Sequence, residues 1–324
     1  MEKLNEEDLK RKKNIEEHIE KITSLNKNES LIKLNEASII IKQLNDFIDG
    51  NLELTTRGIE IRIQKLINDF TVNLEYELDS TIAFRRARKF EKSVSNVPYC
   101  FDDLQELSYI DDSNKEKIPL GRFNKKEESR FYASIHYTEH DEEQFFHSAL
   151  SEVNANKLDY INILDSIPKK RLSVVYIGVF DYFIRNIELP KWIDKNYRLA
   201  YKLFRNKCIE KDNLYIFESY ILSNSFFADI IRRDGSEKLY QVTSVISAIL
   251  LKNNNIEALV YESVKIKNSP VIAIKTNVVD DSIEHKESYC YYIQENFGYG
   301  IYRASEINKC QITDNTLRWE NKAL

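Results

Sequence analysis

Chemistry in this sequence starts with its arginines. Phe84-Arg85-Arg86-Ala87-Arg88 lies on or just after a predicted strand, so Arg86 and Arg88 share one strand face. Arg122 follows a glycine in Gly121-Arg122-Phe123-Asn124, where backbone can come close to a ligand. Planar guanidinium forks pair bidentately with phosphate, which makes all three candidates for holding a phosphate-bearing molecule. The plain alternatives are surface salt bridges for Arg86 and Arg88 and a turn position for Arg122. Glu152 lies on a predicted helix, Asp141–Val153, on the face that carries Phe145 and Ala149. A carboxylate on an apolar face needs a partner or a function, unless the helix end is open to water. Tyr132 sits in the predicted strand Arg130–Ile135, as a ligand contact or a core tyrosine. Ser263 ends the predicted strand Ala258–Glu262, as a ligand contact or a strand-end cap, and Glu262 beside it points to the opposite sheet face.

Taken in order, these segments resemble the RES domain. The resemblance runs through Phe84-Arg85-Arg86-Ala87-Arg88, Gly121-Arg122-Phe123-Asn124, Phe131-Tyr132-Ala133-Ser134 and Ser148-Ala149-Leu150-Ser151-Glu152-Val153. It ends in Tyr240-Gln241-Val242-Thr243, a helix, and Leu259-Val260-Tyr261-Glu262-Ser263, covering about residues 80–276. The resemblance implies an ADP-ribosyltransferase-like α+β fold. It also implies NAD⁺ glycohydrolase or phosphorylase activity that cleaves the nicotinamide–ribose bond, commonly as the toxin of a toxin–antitoxin pair. Arg122, Tyr132 and Glu152 are the catalytic residues expected on this basis. Arg86, Arg88, Asn124, Tyr240 and Ser263 are expected to bind substrate. Three positions depart from the family pattern: Glu127 stands where a glycine is usual, Ser148 where threonine is usual, and Asn268-Ser269-Pro270 precedes the last core strand.

The implied chemistry suits these residue types. Breaking the nicotinamide–ribose bond builds oxocarbenium-like positive charge on the sugar. A fixed carboxylate such as Glu152 opposes that charge, an effect worth on the order of 10²–10³ in rate. The arginines suit the pyrophosphate. Tyr132 suits stacking on nicotinamide or a bond to a ribose hydroxyl. The expected partners are NAD⁺ as substrate rather than cofactor, inorganic phosphate as a second substrate, and an antitoxin protein. Two further readings stay open: transfer of ADP-ribose to a macromolecule, and a catalytically inactive partner-binding module.

Composition narrows the field. The 324 residues are 42% apolar and 31% charged, with a net charge of −5. Interspersed charge of that balance argues against direct nucleic-acid binding. Seven glycines in the chain form neither a Rossmann nor a Walker loop, which sets aside dehydrogenases and P-loop NTPases. His136 and His140 have i, i+4 spacing, but no H-E-x-x-H occurs, so no metal is expected. Cys100, Cys208, Cys290 and Cys310 form no C-x-x-C, which favours free thiols in a cytoplasmic protein. No run reaches the roughly 18–20 apolar residues of a membrane span, and the first residues lack a signal-peptide core.

Three regions are expected to position the site. Residues 1–78 read as helical, with apolar stripes Ile15-Ile19-Ile22, Leu31-Leu34-Ile41-Leu44-Ile48 stopped by Gly50, and Ile59-Ile63-Leu66-Ile67-Phe70-Leu74. They form a helical module that caps the next domain or pairs copies of the chain in a homo-oligomer. Residues 79–276 mix short strands and helices without a regular βαβ beat, as in an α+β mixed-sheet domain. The expected strands are Thr81–Arg85, Arg130–Ile135, Leu172–Phe180, Ala258–Glu262, Val271–Lys275 and Ser288–Ile293; the expected helices include Tyr220–Arg232 and Val242–Leu251. A long connection over 91–120 reads as a functional loop. Residues 277–324 are expected as a β-rich extension of the sheet.

Overall fold

The computed structural model describes residues 6–71, 75–92, 94–137, 142–185, 193 and 195–320. In chain order the elements are α1 (Glu6–Ile22), α2 (Lys27–Ile48), α3 (Thr56–Phe70), β1 (Glu75–Leu78), β2 (Ala83–Lys89), α4 (Leu104–Leu107), β3 (Phe131–His136), α5 (Glu142–Glu152), β4 (Tyr160–Pro168) and β5 (Leu172–Tyr176). They continue with α6 (Val179–Arg185), α7 (Lys195–Glu210), α8 (Leu214–Arg232), α9 (Glu237–Leu250), β6 (Ala258–Glu262), β7 (Pro270–Ile274), α10 (Thr276–Ser282), β8 (Ile283–Gly298), β9 (Ile301–Thr313) and β10 (Thr316–Trp319). The fold is mixed α+β. Among the described residues no helix is long and apolar enough to cross a membrane.

The chain divides into two compact units, Met1–Leu74 with Tyr176–Ile230, and Glu75–Val175 with Ile231–Leu324. The N-terminal helices therefore do not make a unit of their own. Residues 176–230, expected inside the 79–276 domain, join them. The lower boundary falls at 74 rather than 78 because Glu75–Leu78 pairs as a strand, with Leu78 opposite Leu172.

Local chemistry explains the helical unit. Asn26 caps α2 through a reciprocal box with Glu29, and Thr55 caps α3 through the Gly58 amide. Gly50, at φ +82°, follows the α2 C-cap and ends that helix in the left-handed conformation that glycine adopts without strain. Ala37, Leu44 and Phe47 of α2 are buried with Ile59, Ile63, Leu66 and Phe70 of α3. The expected α2 stripe is shifted: Leu31 is exposed, whereas Ile40 and Phe47 are buried. α7 and the residue after it fasten to α1 through Lys207 and Lys211, both paired with Glu20. Leu172–Phe180, expected as one strand, stops at Tyr176. Gly178, at φ +73°, turns the chain into α6, and a side chain there would meet Ala228 at 2.7 Å.

The second unit is built on a ten-stranded, mostly antiparallel sheet in the order β1-β5-β6-β7-β3-β2-β4-β8-β9-β10. β6 and β7 are buried along their whole length, which fits their central places. β8, β9 and β10 extend the sheet from β4, as residues 277–324 were expected to do. β4 had no clear signature, because its run Ile161–Leu164 is buried on both faces and lacks alternation. α5 covers one face, where Ala149 and Leu150 pack with Ala87, Ile161, Ile163 and Ile293.

The register of β2 splits the sheet. β2 pairs with β3 only at Ala83–His136, Phe84–Ile135 and Arg85–Ser134. It stays paired with β4 from Phe84 to Lys89, while β3 stays paired with β7 through Phe131. Beyond Arg85 and Ser134 the two strands part, and the sheet forks.

Candidate active site

The fork opens into a cavity of about 520 Å³ whose lining includes Arg86, Arg88, Arg122, Tyr132, Glu152 and Tyr261. That volume lies in the ordinary range for small-molecule sites, roughly 300–1,000 Å³. All six come from segments singled out in the sequence, five of them as candidate site residues. Because the sheet is split here, side chains from both of its faces reach one space, a convergence that strand alternation alone would forbid.

Glu152 is the last residue of α5 and is half-buried. Ser263 Oγ donates to its Oε1 at 2.5 Å. The direction of that bond is fixed, since Ser263 Oγ accepts from the amides of both Lys265 and Ile266 at 3.0 Å. Its proton is therefore left to point at the carboxylate. One turn earlier, Ser148 Oγ pairs with Ser269 Oγ at 2.7 Å. The end of α5 is thus bonded twice to the β6–β7 connection. Burial pushes the Glu152 carboxyl above the usual carboxylate range, partly offset by the Ser263 bond and by the charges of Arg122 and Lys265.

The hydrogen bonds that hold the arginine pair go to main-chain carbonyls, and Glu91 and Glu106 act on Arg88 only through space. Arg86 donates through Nε to the Leu107 carbonyl at 3.0 Å and through Nη1 to the Tyr132 carbonyl at 2.9 Å. The Tyr132 carbonyl faces the side of β3 that β2 has left, so Arg86 occupies the gap between the strands. Arg88 donates through Nη1 to the Glu106 carbonyl. Rings lie near both guanidinium groups, Phe131 at 5.6 Å and Phe101 at 5.5 Å. Burial, with Arg88 beside it, pulls Arg86 down to about 10, and burial also lowers Arg88. Both stay charged at neutral pH. Arg85, on the opposite strand face, is closed off by a bidentate pair with Asp165 at 2.7 and 2.6 Å.

The 91–120 connection supplies two of the three carbonyls that hold these arginines, those of Glu106 and Leu107. α4 and the 3₁₀ turn Asp112–Lys117 lie within 91–120. Ser108, next to Leu107, bonds His285 Nε2 at 3.2 Å, and His285 Nδ1 meets Ser166 Oγ at 2.7 Å. That bridge ties the loop to β8 and β4. Burial keeps His285 neutral by lowering it to about 4.

Of the expected substrate contacts, Asn124 and Ser263 are bonded within the protein and Tyr240 lies outside the cavity lining. Asn124 donates to the Pro119 and Lys125 carbonyls, both at 2.9 Å, and accepts from Tyr132 Oη at 2.8 Å, so its amide is fully engaged. A side chain at position 121 would meet Asn124 Oδ1 at 2.2 Å. The glycine makes room for that asparagine rather than for a ligand. Ser263 is occupied by Glu152, as described. Tyr240 does not line the cavity; it lies under the Arg122 guanidinium at 5.6 Å. Arg122 itself donates to the main-chain carbonyls of Ile231 and Arg233, which fixes the guanidinium at the cavity wall.

Tyr132 presents its ring to the cavity, but its hydroxyl is spent on Asn124 and on the Phe123 amide at 3.1 Å. That leaves ring contact rather than a hydroxyl bond. Glu262 is buried and paired with Arg232, away from Glu152. Tyr261, Ser134 and Lys89 line the cavity without having been singled out. The β2–β3 register would have found Ser134, but register is not readable from one strand. His140 lies outside the described residues, and among those described no cluster suited to a metal ion occurs. All four cysteines are buried and free.

Glu127 stands at φ +66°, in the left-handed region, with its amide bonded to the Ile118 carbonyl at 3.1 Å. Such a conformation costs a residue with a Cβ about 1–2 kcal/mol. Glu127→Gly is therefore expected to raise stability by up to about 1 kcal/mol after glycine's greater chain entropy is counted. Denaturant unfolding checks this; a loss of stability would mean that the Glu127 side chain holds the loop.

Compared with known proteins, the chain matches no family model, no curated protein and no solved structure.

Proposed function

We propose that this chain is an NAD⁺ glycohydrolase or phosphorylase of the RES type, with an ADP-ribosyltransferase-like fold. The observation that carries the reading is one cavity lined by a half-buried carboxylate, Glu152, and by two half-buried arginines whose hydrogen-bond partners are main-chain carbonyls. Arginine forks at the wall of a cavity, hydrogen-bonded only to main-chain carbonyls, suit an anionic ligand, although Glu91 and Glu106 also interact electrostatically with Arg88. A dinucleotide supplies one in its pyrophosphate. Glu127 adds support from a separate place: the RES pattern has glycine there, and the backbone at this position takes the conformation glycine favours.

In this mechanism Arg86, Arg88 and Arg122 hold the phosphates and fix the ribose beside Glu152. The C1′–N bond breaks with its electron pair going to the pyridinium nitrogen, which becomes neutral nicotinamide. Glu152, ionised and held by Ser263, opposes the charge left on the ribose. Water then bonds to C1′ and gives ADP-ribose and a proton, or inorganic phosphate bonds there and gives ADP-ribose 1″-phosphate. A toxin role follows if NAD⁺ loss in the host is fast enough to be harmful.

The test is to incubate purified protein with NAD⁺, with and without phosphate, and to separate the products. Release of nicotinamide is expected. A phosphorylated product in phosphate buffer assigns phosphorolysis, and ADP-ribose in both buffers assigns hydrolysis. Intact NAD⁺ under both conditions overturns the reading.

Ser263→Ala supplies a pH test. The bond from Ser263 favours the ionised carboxylate, so its loss raises the Glu152 pKa further. If the ionised form is the active one, activity falls as pH drops through that pKa. The acid limb of kcat is then expected to move to higher pH in the variant, with the basic limb in place. An unmoved acid limb would remove Ser263 from control of Glu152.

A further inference from the structure

Beside Glu152, the end of the cavity at Tyr261 and Ser134 has no assigned role. One row of directly opposed residues crosses the sheet there: Tyr261 faces Val271, Val271 faces Ser134, and Ser134 faces Arg85. Opposed residues in an antiparallel sheet project to the same face. This row is the closed end of the fork, because Arg85 and Ser134 are the last residues that β2 and β3 pair. Arg85 is neutralised by Asp165. Arg86, Arg88 and Lys89 lie farther along β2, where the strands have parted.

Two hydroxyls at this end are unused. Ser134 Oγ is buried and has no hydrogen-bond partner among the described residues. The residue is 1% exposed and contributes to the cavity wall. Tyr261 lines the cavity with its hydroxyl in no hydrogen bond among the described residues, and its ring packs on Phe123 at 4.6 Å. Burial and the neighbouring Glu152 push its phenol far up, so it acts as a hydrogen-bond donor and not as a base. Ala149, Val271 and the Tyr132 ring make up the adjoining wall. A buried hydroxyl left unmade costs about 1–3 kcal/mol, a cost that a ligand with matching polar groups removes.

We infer that this closed end seats the leaving nicotinamide ring, with the hydroxyls of Tyr261 and Ser134 reading its carboxamide. The inference rests on the NAD⁺ reading. A flat ring with one polar substituent fits aromatic and small aliphatic walls with hydroxyls at the base, and a phosphate does not. Tyr261 donates to the carboxamide oxygen, and Ser134 pairs with the amide nitrogen. The position also suits the bond that breaks, because the row ends at Tyr261, whose electrostatic neighbour is Glu152. The pyrophosphate then extends toward Arg86 and Arg88, which orients the dinucleotide along β2.

Product inhibition tests this. NAD⁺ cleavage by wild type, Tyr261→Phe and Ser134→Ala is measured against nicotinamide and, separately, against ADP-ribose. Nicotinamide inhibition is expected to weaken about tenfold in Tyr261→Phe and several-fold in Ser134→Ala, with ADP-ribose inhibition within about twofold of wild type. A misfolded or loosened cavity would weaken both inhibitors together, and that result overturns the assignment. Unchanged nicotinamide inhibition in both variants overturns it too, while leaving the NAD⁺ reading standing. A wild-type protein that neither binds nor cleaves NAD⁺ ends both.

Discussion

Replacing Glu152 with glutamine is expected to lower NAD⁺ cleavage by about 100-fold or more while leaving the fold intact. Glutamine has nearly the same shape, and its amide oxygen can accept the Ser263 proton as the carboxylate does. What disappears is the negative charge. In the ground state that charge is a burden, since burial raises the Glu152 carboxyl above its usual range. A group whose ionised form is disfavoured by folding costs stability at neutral pH, so the variant is expected to melt at the same temperature or higher. Activity and stability would then move in opposite directions, which separates a catalytic role from a structural one. Turnover within about tenfold of wild type would take Glu152 out of the mechanism.

Arg86→Met is expected to do damage of two kinds. The side chain keeps part of its packing against Phe131, but the carbonyls of Leu107 and Tyr132 lose their donor. Two partly buried acceptors left unpaired are worth about 2–4 kcal/mol of stability. Loss of charge-assisted bonds to the pyrophosphate is expected to raise KM for NAD⁺ on the order of 100-fold beyond that. Arg86→Lys separates the two effects, since it keeps the charge without the fork that spans two carbonyls. Unfolding curves and steady-state kinetics on both variants check the split. A KM for Arg86→Met equal to wild type would leave Arg86 as a strut between separated strands and nothing more.

Residue type carried the local part of the site. Glu152 stood out because a carboxylate on an apolar helix face needs compensation, which Ser263, Arg122 and Lys265 supply in part. Arg86 and Arg88 stood out by strand spacing. Their actual setting was hidden, because it depends on β2 leaving β3 after a third pair, and no feature of either strand alone sets that length. Asn124 illustrates a limit of motif logic. Its spacing from Gly121 was visible, but its purpose, filling the space over that glycine while bonding Tyr132, is a packing fact. The N-terminal helices were clear from their apolar period. Their union with residues 176–230 was not, since sequence neighbours only sometimes share a unit. Leu172–Phe180 misled for a simple reason: an apolar run is compatible with strand and helix alike, and Gly178 divides it.

The fork between β2 and β3 is the proposed NAD⁺ site. A crystal structure of the protein grown with a carbocyclic NAD⁺ analogue, which resists cleavage at C1′, tests it most directly. The expected result places the pyrophosphate within hydrogen-bond distance of Arg86 and Arg88, C1′ beside the Glu152 carboxylate, and the pyridine ring toward Tyr261 and Ser134. An analogue bound elsewhere, or a fork that stays empty at millimolar analogue, would contradict the account.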